Sequence, residues 1–467
     1  MIYLALFLGV LLGLAVLLTA ATRPKHVWAL VVVLAILTSS VRVQGYSFFD
    51  ELAVALVLLG VLMSMAVGHV IRARPQQDQP AKFHVFFFLL MVSYMFLQSL
   101  RGWAEFGFDA QKLRWVAFFG LLGLIALILY TRRSIAPSGI RAARPVAIAT
   151  GAYLGLYLLH GVTAELLRGL SRYEVQSTEW SPPSYAALPI AVGIPAAILC
   201  IKLDRSRQGR VAGWASIILA FVAGFYYDAR AGLISVTALL VVAAPTLGWK
   251  RLLHSFLAVV VVVVAFVPVK IQQEGSFRTY MSGVVSAGEA FWTGGQTAWG
   301  GEPVARDVDR WIHAKAAVGS ISEGWTTALF GHGYRTHGPI INKEIYPLYQ
   351  EYMPWKARDI ANYESTIGFS ALLIDTGLVG LTLLVFNFAL TLWQIVRREH
   401  SRFRYGLVAS GLLLLLWLIT GNILDMVLFY LAIMPSGILV QMAGAETREA
   451  TAAQAAPTEA YVYGRGS

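Results

Sequence analysis

The chain has 467 residues, of which 57% are hydrophobic and 13% charged, with mean hydropathy +0.63 and a net charge of +11. A soluble domain carries about a quarter charged residues, so the composition excludes an ordinary soluble enzyme and points to a polytopic membrane protein. The positive charge reads as loop lysines and arginines on one side of a membrane, not as a nucleic-acid surface. The single Cys200, inside an apolar run, excludes a disulfide framework.

A bilayer core of about 30 Å takes roughly 20 apolar residues per helix, and in hydrocarbon each backbone group must bond within its own helix. The apolar runs place spans near 2–21, 26–41, 51–71, 83–100, 113–130, 145–163, 185–203, 211–227, 232–249, 252–270, 367–396, 406–424 and 426–443. The expected fold is all-α, a transmembrane bundle of about 12–13 spans with one large, partly helical extracytoplasmic loop. The run from Ile2 to Leu18 lacks a basic start and a small-residue cleavage site, and reads as the first span rather than a removed signal peptide. The chain then divides into N-terminal spans (1–271), the large loop (272–366), C-terminal spans (367–443) and a tail (444–467). The tail is rich in Ala, Thr and Glu with no apolar period, and reads as disordered and cytoplasmic.

Lysine and arginine set the orientation. The loops after odd-numbered spans hold 19 of them, whereas the short loops after even-numbered spans hold 7: Arg42, Arg101, Lys112, Arg114, Arg168, Arg172 and Arg230. The odd loops are therefore expected in the cytoplasm and the large loop outside. Positive charge is disfavoured on that outer face, so each arginine there needs a reason: snorkelling to headgroups, or an anionic ligand.

The large loop is the one long polar segment, and it carries His313, His332, His337 and five tryptophans. Its spacing predicts a helix over Arg306–Trp325, with Trp311, Lys315, Val318 and Ser322 on one face and Ile312, Ile321 and Trp325 flanking it. Such a helix can lie on the membrane interface or cover a cavity. Phe330-Gly331-His332-Gly333-Tyr334 follows, a glycine-rich turn where backbone can approach a ligand closely. The stretch Tyr346–Trp355 is aromatic and partly acidic, which suits sugar stacking as well as ordinary packing.

Four pieces of the chain, in order, carry a resemblance. They are Arg172 with Ser181-Pro182-Pro183-Ser184-Tyr185-Ala186; Asp228-Ala229-Arg230-Ala231-Gly232; Arg310-Trp311 followed by Leu329-Phe330-Gly331-His332-Gly333; and Asp375-Thr376-Gly377-Leu378-Val379-Gly380. The pattern resembles the bacterial O-antigen ligase and O-antigen polymerase superfamily of integral membrane glycosyltransferases, over roughly residues 110–400. The pieces are similar to the family's Arg before a Pro-Asn turn (without the Asn), its Ser-Arg-Gly segment, its Arg-x-x-x-Trp region with a Phe-Gly-x-Gly turn, and its Glu-x-Gly-x-x-Gly. The family's ligases place a His-Asn pair just before the last of these spans. Here the stretch is Asn362-Tyr363-Glu364-Ser365-Thr366, with no histidine, which favours a polymerase of O-antigen or exopolysaccharide.

The resemblance implies a glycan carried on undecaprenyl pyrophosphate and transferred to an acceptor hydroxyl at the outer leaflet of the bacterial inner membrane. A chain-length regulator protein is an expected partner. No His-Glu-x-x-His motif or cysteine pair is present in the sequence, and no metal or other cofactor is expected. Charge on the departing pyrophosphate then falls to arginines, which hold phosphate through parallel bonds: Arg230 and Arg172 first, then Arg310 and Arg114. The acceptor hydroxyl needs a base. Glu364 is the first candidate, with His332 and His337 as alternates. Asp375, about two turns inside its span, is expected to make a structural bond to a neighbouring helix. Two other readings stand beside the polymerase: a ligase that moves finished glycan to lipid A core or protein, and a transporter of lipid-linked sugar. The transporter would predict a repeat relating the two halves and charges distributed within spans, neither of which the sequence displays.

Overall fold

The computed structural model describes residues 82–107, 140–168, 189–226 (205 excepted), 235–242, 302–352 (335 excepted), 368–398 and 404–420, with a short ladder at 42–43 and 46–47 and scattered helical positions elsewhere. In the ladder, β1 (Arg42–Val43) pairs antiparallel with β2 (Tyr46–Ser47). The rest of the described chain is helical: α1 (Lys82–Phe106), α2 (Ile140–Arg168), a π-helical turn (Pro189–Gly193) running into α3 (Ile194–Leu203), α4 (Arg207–Tyr226), α5 (Glu302–Ile321), α6 (Trp325–Phe330), α7 (His337–Tyr352), α8 (Gly368–Arg398) and α9 (Arg404–Thr420).

Among the described residues, three segments are long and apolar enough to cross a membrane: Phe86–Glu105 in α1, Ala143–Thr163 in α2 and Gly368–Arg397 in α8. Pro189–Leu203 and Tyr405–Leu418 are shorter apolar helices. The spans expected at 83–100, 145–163, 185–203, 211–227, 367–396 and 406–424 fall on α1, α2, α3, α4, α8 and α9. The other expected spans, and the tail, lie wholly or largely outside the described residues.

Helices α2, α3 and α4 pack together through small residues. A Cβ on Gly213 of α4 would lie 2.6 Å from the Ala197 carbonyl of α3, and Ser216 of α4 donates to the Ala147 carbonyl of α2 at 2.6 Å. In hydrocarbon, backbone approach and hydrogen bonds of this kind hold helices together where water would otherwise drive association. One end of the trio is closed by an ion pair. Arg144 holds Asp204 through both carboxylate oxygens, at 2.6 and 2.8 Å, and donates to Ser206. Burial pushes the Asp204 carboxyl up, but the Arg144 bonds and the Ser206 N–H together outweigh it and leave the group below its usual range.

Helices α1 and α8 run antiparallel, joined by polar contacts along their length. Thr391 meets His84, Asn387 donates to the Phe87 carbonyl at 3.1 Å, and Tyr94 donates to the Thr376 carbonyl at 2.7 Å. Helix α9 packs on α8 and reaches the α2–α4 group through Ser410, which donates to the Ala191 carbonyl.

Helices α5, α6 and α7 rest against the N-terminal half of α8. Ile312, Ala316, Ala317 and Ile321 of α5 form a small core with Ile345 and Tyr349 of α7 and Leu373 and Ile374 of α8. This corrects the helix expected over Arg306–Trp325. Helix α5 stops at Ile321, the chain turns through Ser322–Gly324, and Trp325 opens a separate helix. The buried stripe is Ile312, His313, Ala316, Ala317, Ser320 and Ile321, whereas Lys315, Val318 and Ser322 are exposed. Packing took the face on which Ile312 and Ile321 flank the small Ala316, Ala317 and Ser320, and these small residues let α5 approach its neighbours closely.

Candidate functional site

Two of the stretches that carry the resemblance, separated by some forty residues of sequence, meet at one point. Helix α8 is broken at Gly377, whose φ of 64° and ψ of −165° is not helical. Gly331, which caps α6, has almost the same conformation, φ 67° and ψ −162°. This region of backbone space is open only to glycine. At the break, the carbonyls that would continue the helix ladder need other donors. The turn supplies two of them: His332 N–H bonds the Ile374 carbonyl at 2.8 Å, and Gly333 N–H bonds the Asp375 carbonyl at 2.9 Å. Tyr94 of α1 takes the next carbonyl, Thr376. Three successive carbonyls of a candidate membrane-spanning helix are thus satisfied from outside it, as an irregular backbone within a bilayer would require.

The end of α1 completes the junction. Tyr334 N–H bonds the Gln98 carbonyl at 2.9 Å. The backbone of Tyr334 lies where a Cβ on Gly102 would stand. Asp375 Oδ1 accepts from the Thr336 N–H at 3.0 Å, pinning the entry to α7. Asp375 therefore makes a structural bond to the turn before α7. The glycine-rich turn does approach something closely, as its composition suggests, and that partner is the chain's own backbone.

Two side chains with chemistry flank Gly331. Arg101, in the last two turns of α1, donates from Nη1 to the Gly331 carbonyl at 3.0 Å and from Nε to Glu105 at 2.7 Å. A guanidinium carries five N–H donors, these two contacts engage two of them, and the Arg101 side chain is partly exposed. His332 is half-buried, with Nε2 3.3 Å from the Ser320 carbonyl. A carbonyl can only accept, so this contact puts the ring proton on Nε2 and leaves the Nδ1 lone pair as the basic position of the neutral ring. A cation bonded to Gly331 and the imidazole of the next residue thus meet at a turn whose backbone is locked at three points. Such a pair can hold an anion and take up a proton.

Of the residues singled out from sequence, His332 is in this junction, and His337 opens α7 just beyond it. Arg310 lies within α5. Glu364, Arg230, Arg172 and Arg114 lie outside the described residues. Arg101 was not singled out, although the sequence held its signal: it is one of the seven positive residues on the sparsely charged side. Tyr346 is exposed, but Tyr349 is fully buried beside His313, so this part of the aromatic stretch is divided between surface and core. No family model, curated protein or solved structure matches the chain.

Proposed function

We propose that this chain is a metal-independent membrane glycosyltransferase of the polymerase type, extending an O-antigen or exopolysaccharide from a donor linked to undecaprenyl pyrophosphate. The observation that carries the reading is the junction at Gly331, where the Phe-Gly-x-Gly turn and the Asp-x-Gly-x-x-Gly stretch lock together between Arg101 and His332. In the reaction, the bond between the sugar's anomeric carbon and the pyrophosphate oxygen breaks, and a bond from that carbon to an acceptor hydroxyl oxygen forms. The hydroxyl proton passes to a base, and undecaprenyl pyrophosphate leaves as the anion. Arginine forks stabilise the charge that grows on the leaving phosphate. Arg101 joins Arg230, Arg172, Arg310 and Arg114 as a candidate for that task, and Glu364, His332 and His337 are the candidate bases. The setting that goes with this reading is the bacterial inner membrane, with residues 272–366 on the periplasmic side.

The test is turnover by the purified full-length chain in liposomes, given undecaprenyl-pyrophosphate-linked oligosaccharide alone. A ladder of longer lipid-linked glycans with release of undecaprenyl pyrophosphate is the expected product. Product only when lipid A core or a protein acceptor is added identifies a ligase. Movement of intact donor between leaflets without bond exchange identifies a transporter and overturns the proposal.

A further inference from the structure

Helix α6 presents one exposed face that no described residue covers. Trp325, Thr326, Leu329 and Phe330 are all exposed, Trp325 at 72%, and they share one side of the helix by their spacing. A lone exposed tryptophan needs no explanation, but a helix with three large apolar residues turned outward does.

The depth at which α6 sits says what covers it. Its capping residue Gly331 is in backbone contact with Gly377, nine residues into α8, or ~13 Å along that helix. The apolar stretch Gly368–Arg397 is ~45 Å long and a hydrocarbon core is about 30 Å, so a centred α8 puts Gly377 a few ångströms inside the core boundary. Helix α1 gives the same depth independently. Gly102, pressed against Tyr334, lies ~5 Å before the end of the stretch Phe86–Glu105. Exposed apolar residues on the spans continue the surface at this level: Leu97 on α1 and Leu378 on α8, beside the break. The charged Lys315, Glu323 and Lys343 belong to α5, the α5–α6 turn and α7, and are exposed.

We infer that α6 is a membrane-embedded interfacial helix whose Trp325–Phe330 face lies in the bilayer at the boundary between headgroups and acyl chains. An interfacial helix buries its apolar side about 5–10 Å into that boundary, and tryptophan is enriched there because its ring is apolar and its N–H is polar. The bilayer, rather than a protein partner, is the occupant because the face is continuous with the lipid-exposed surfaces of two candidate spans. The consequence is positional. The Gly331–Tyr334 turn and Arg101 are held at the edge of the hydrocarbon core, just beneath the lipid headgroups, whatever reaction follows. The inference rests on the spans crossing a membrane and not on the glycosyltransferase reading.

The test places a nitroxide at Trp325→Cys and, separately, at Leu329→Cys, in a Cys200→Ala background, with the full chain in lipid nanodiscs. Lys343→Cys on α7 is the water reference and Leu378→Cys on α8 the lipid reference. Collision of the label with oxygen, relative to a water-soluble nickel chelate, should be several-fold higher at 325 and 329 than at 343 and should approach the value at 378. The same ratio at 325 and 329 as at 343 places the helix in water and overturns the inference. Spin–spin broadening at 325 or 329 that disappears on dilution with unlabelled chain identifies a second copy on the face and also overturns it. Where a cysteine at 325 or 329 prevents folding, Thr326→Cys on the same face gives the same readout.

Discussion

Gly331 and Gly377 occupy each other's side-chain space. A Cβ on Gly331 would lie 2.5 Å from the Thr376 nitrogen, and one on Gly377 would lie 2.5 Å from the Gly331 nitrogen. Both have positive φ in a region reserved to glycine. Alanine at either position therefore meets strain and a backbone clash together. Strain of this kind costs about 1–3 kcal/mol, and the clash adds to it. Gly107 separates the two effects, with φ 82° and nothing within 4 Å of where an added Cβ would stand. Gly107→Ala should lower the apparent melting temperature slightly, and Gly377→Ala or Gly331→Ala much more, in a thermal unfolding assay in matched nanodiscs. Equal small losses at all three would mean the junction is not as close as described.

Arg101 should matter to turnover beyond its part in folding. Lysine keeps the charge but loses the planar fork that binds the Gly331 carbonyl and Glu105 at once. A hydrogen bond to a charged group is worth about 1.5–3 kcal/mol, so Arg101→Lys should reduce polymer yield by about one to two orders of magnitude at normal protein level. Arg101→Ala should reduce it further. The same pair of changes at Arg230 is expected to behave alike. Near-wild-type yield from Arg101→Ala, with Arg230→Ala inactive, would leave Arg101 as a structural clamp.

The base is decided by comparing Glu364→Gln with His332→Ala. General-base help is worth roughly 10²- to 10⁴-fold, and only the residue that takes the proton should show a loss of that size with donor binding intact. A loss of that size in Glu364→Gln, with His332→Ala near wild type, would assign the base to Glu364, and the reverse result would assign it to His332.

The Arg144–Asp204 pair should make stability depend on acid. Asp204 titrates below its usual value in the folded chain, so it binds its proton less readily there than when unfolded. Its contribution is fully present above the ordinary carboxyl value of about 3.9 and is lost as pH falls through that value toward the lower folded one. Arg144 is partly exposed, which screens the pair, so Asp204→Asn is expected to cost about 1–2 kcal/mol at neutral pH from the lost charged bonds. The difference from wild type should shrink toward pH 3 in apparent melting temperature. A constant difference across that range would assign the loss to packing.

Sidedness of the large loop is tested at Lys343, whose side chain is 75% exposed. Ser320, also in the loop, is fully buried in the α5 core and would report burial rather than topology. Lys343→Cys should react with an impermeant thiol reagent in intact spheroplasts. Labelling only after lysis would reverse the orientation.

The helices were largely legible because apolar runs of the right length can be little else in a bilayer. The expected boundaries on α1, α2, α8 and α9 fall near the observed ones. What composition could not display is where a helix stops being helical. Gly377 follows Asp375-Thr376 within a long apolar run, and a glycine there does not by itself mark a break, since the donors that make a break tolerable come from His332, Gly333 and Tyr94. Periodicity missed the buried face of α5 for a related reason. Spacing alone grouped Lys315, Val318 and Ser322, whereas packing against α7 and α8 buried the neighbouring face of Ile312, Ala316, Ala317, Ser320 and Ile321. The two halves of the junction could be named from the resemblance, but their contact depends on tertiary structure. Arg101 was visible only as a charge on the sparsely charged side, because its bond to Gly331 spans 230 residues.

That long reach has a consequence for biogenesis. The turn at 331–334 is synthesised well before α8, yet its N–H groups find their partners on Ile374 and Asp375. Until α8 is in place, those amides can bond only to water or transient neighbours, and α5–α7 have no floor beneath them. The loop therefore completes its fold last, as a latch that closes when α8 meets α1. A chain stalled or truncated before residue 377 would carry all the large-loop sequence and still lack the junction, leaving Trp325 and Phe330 without a fixed depth.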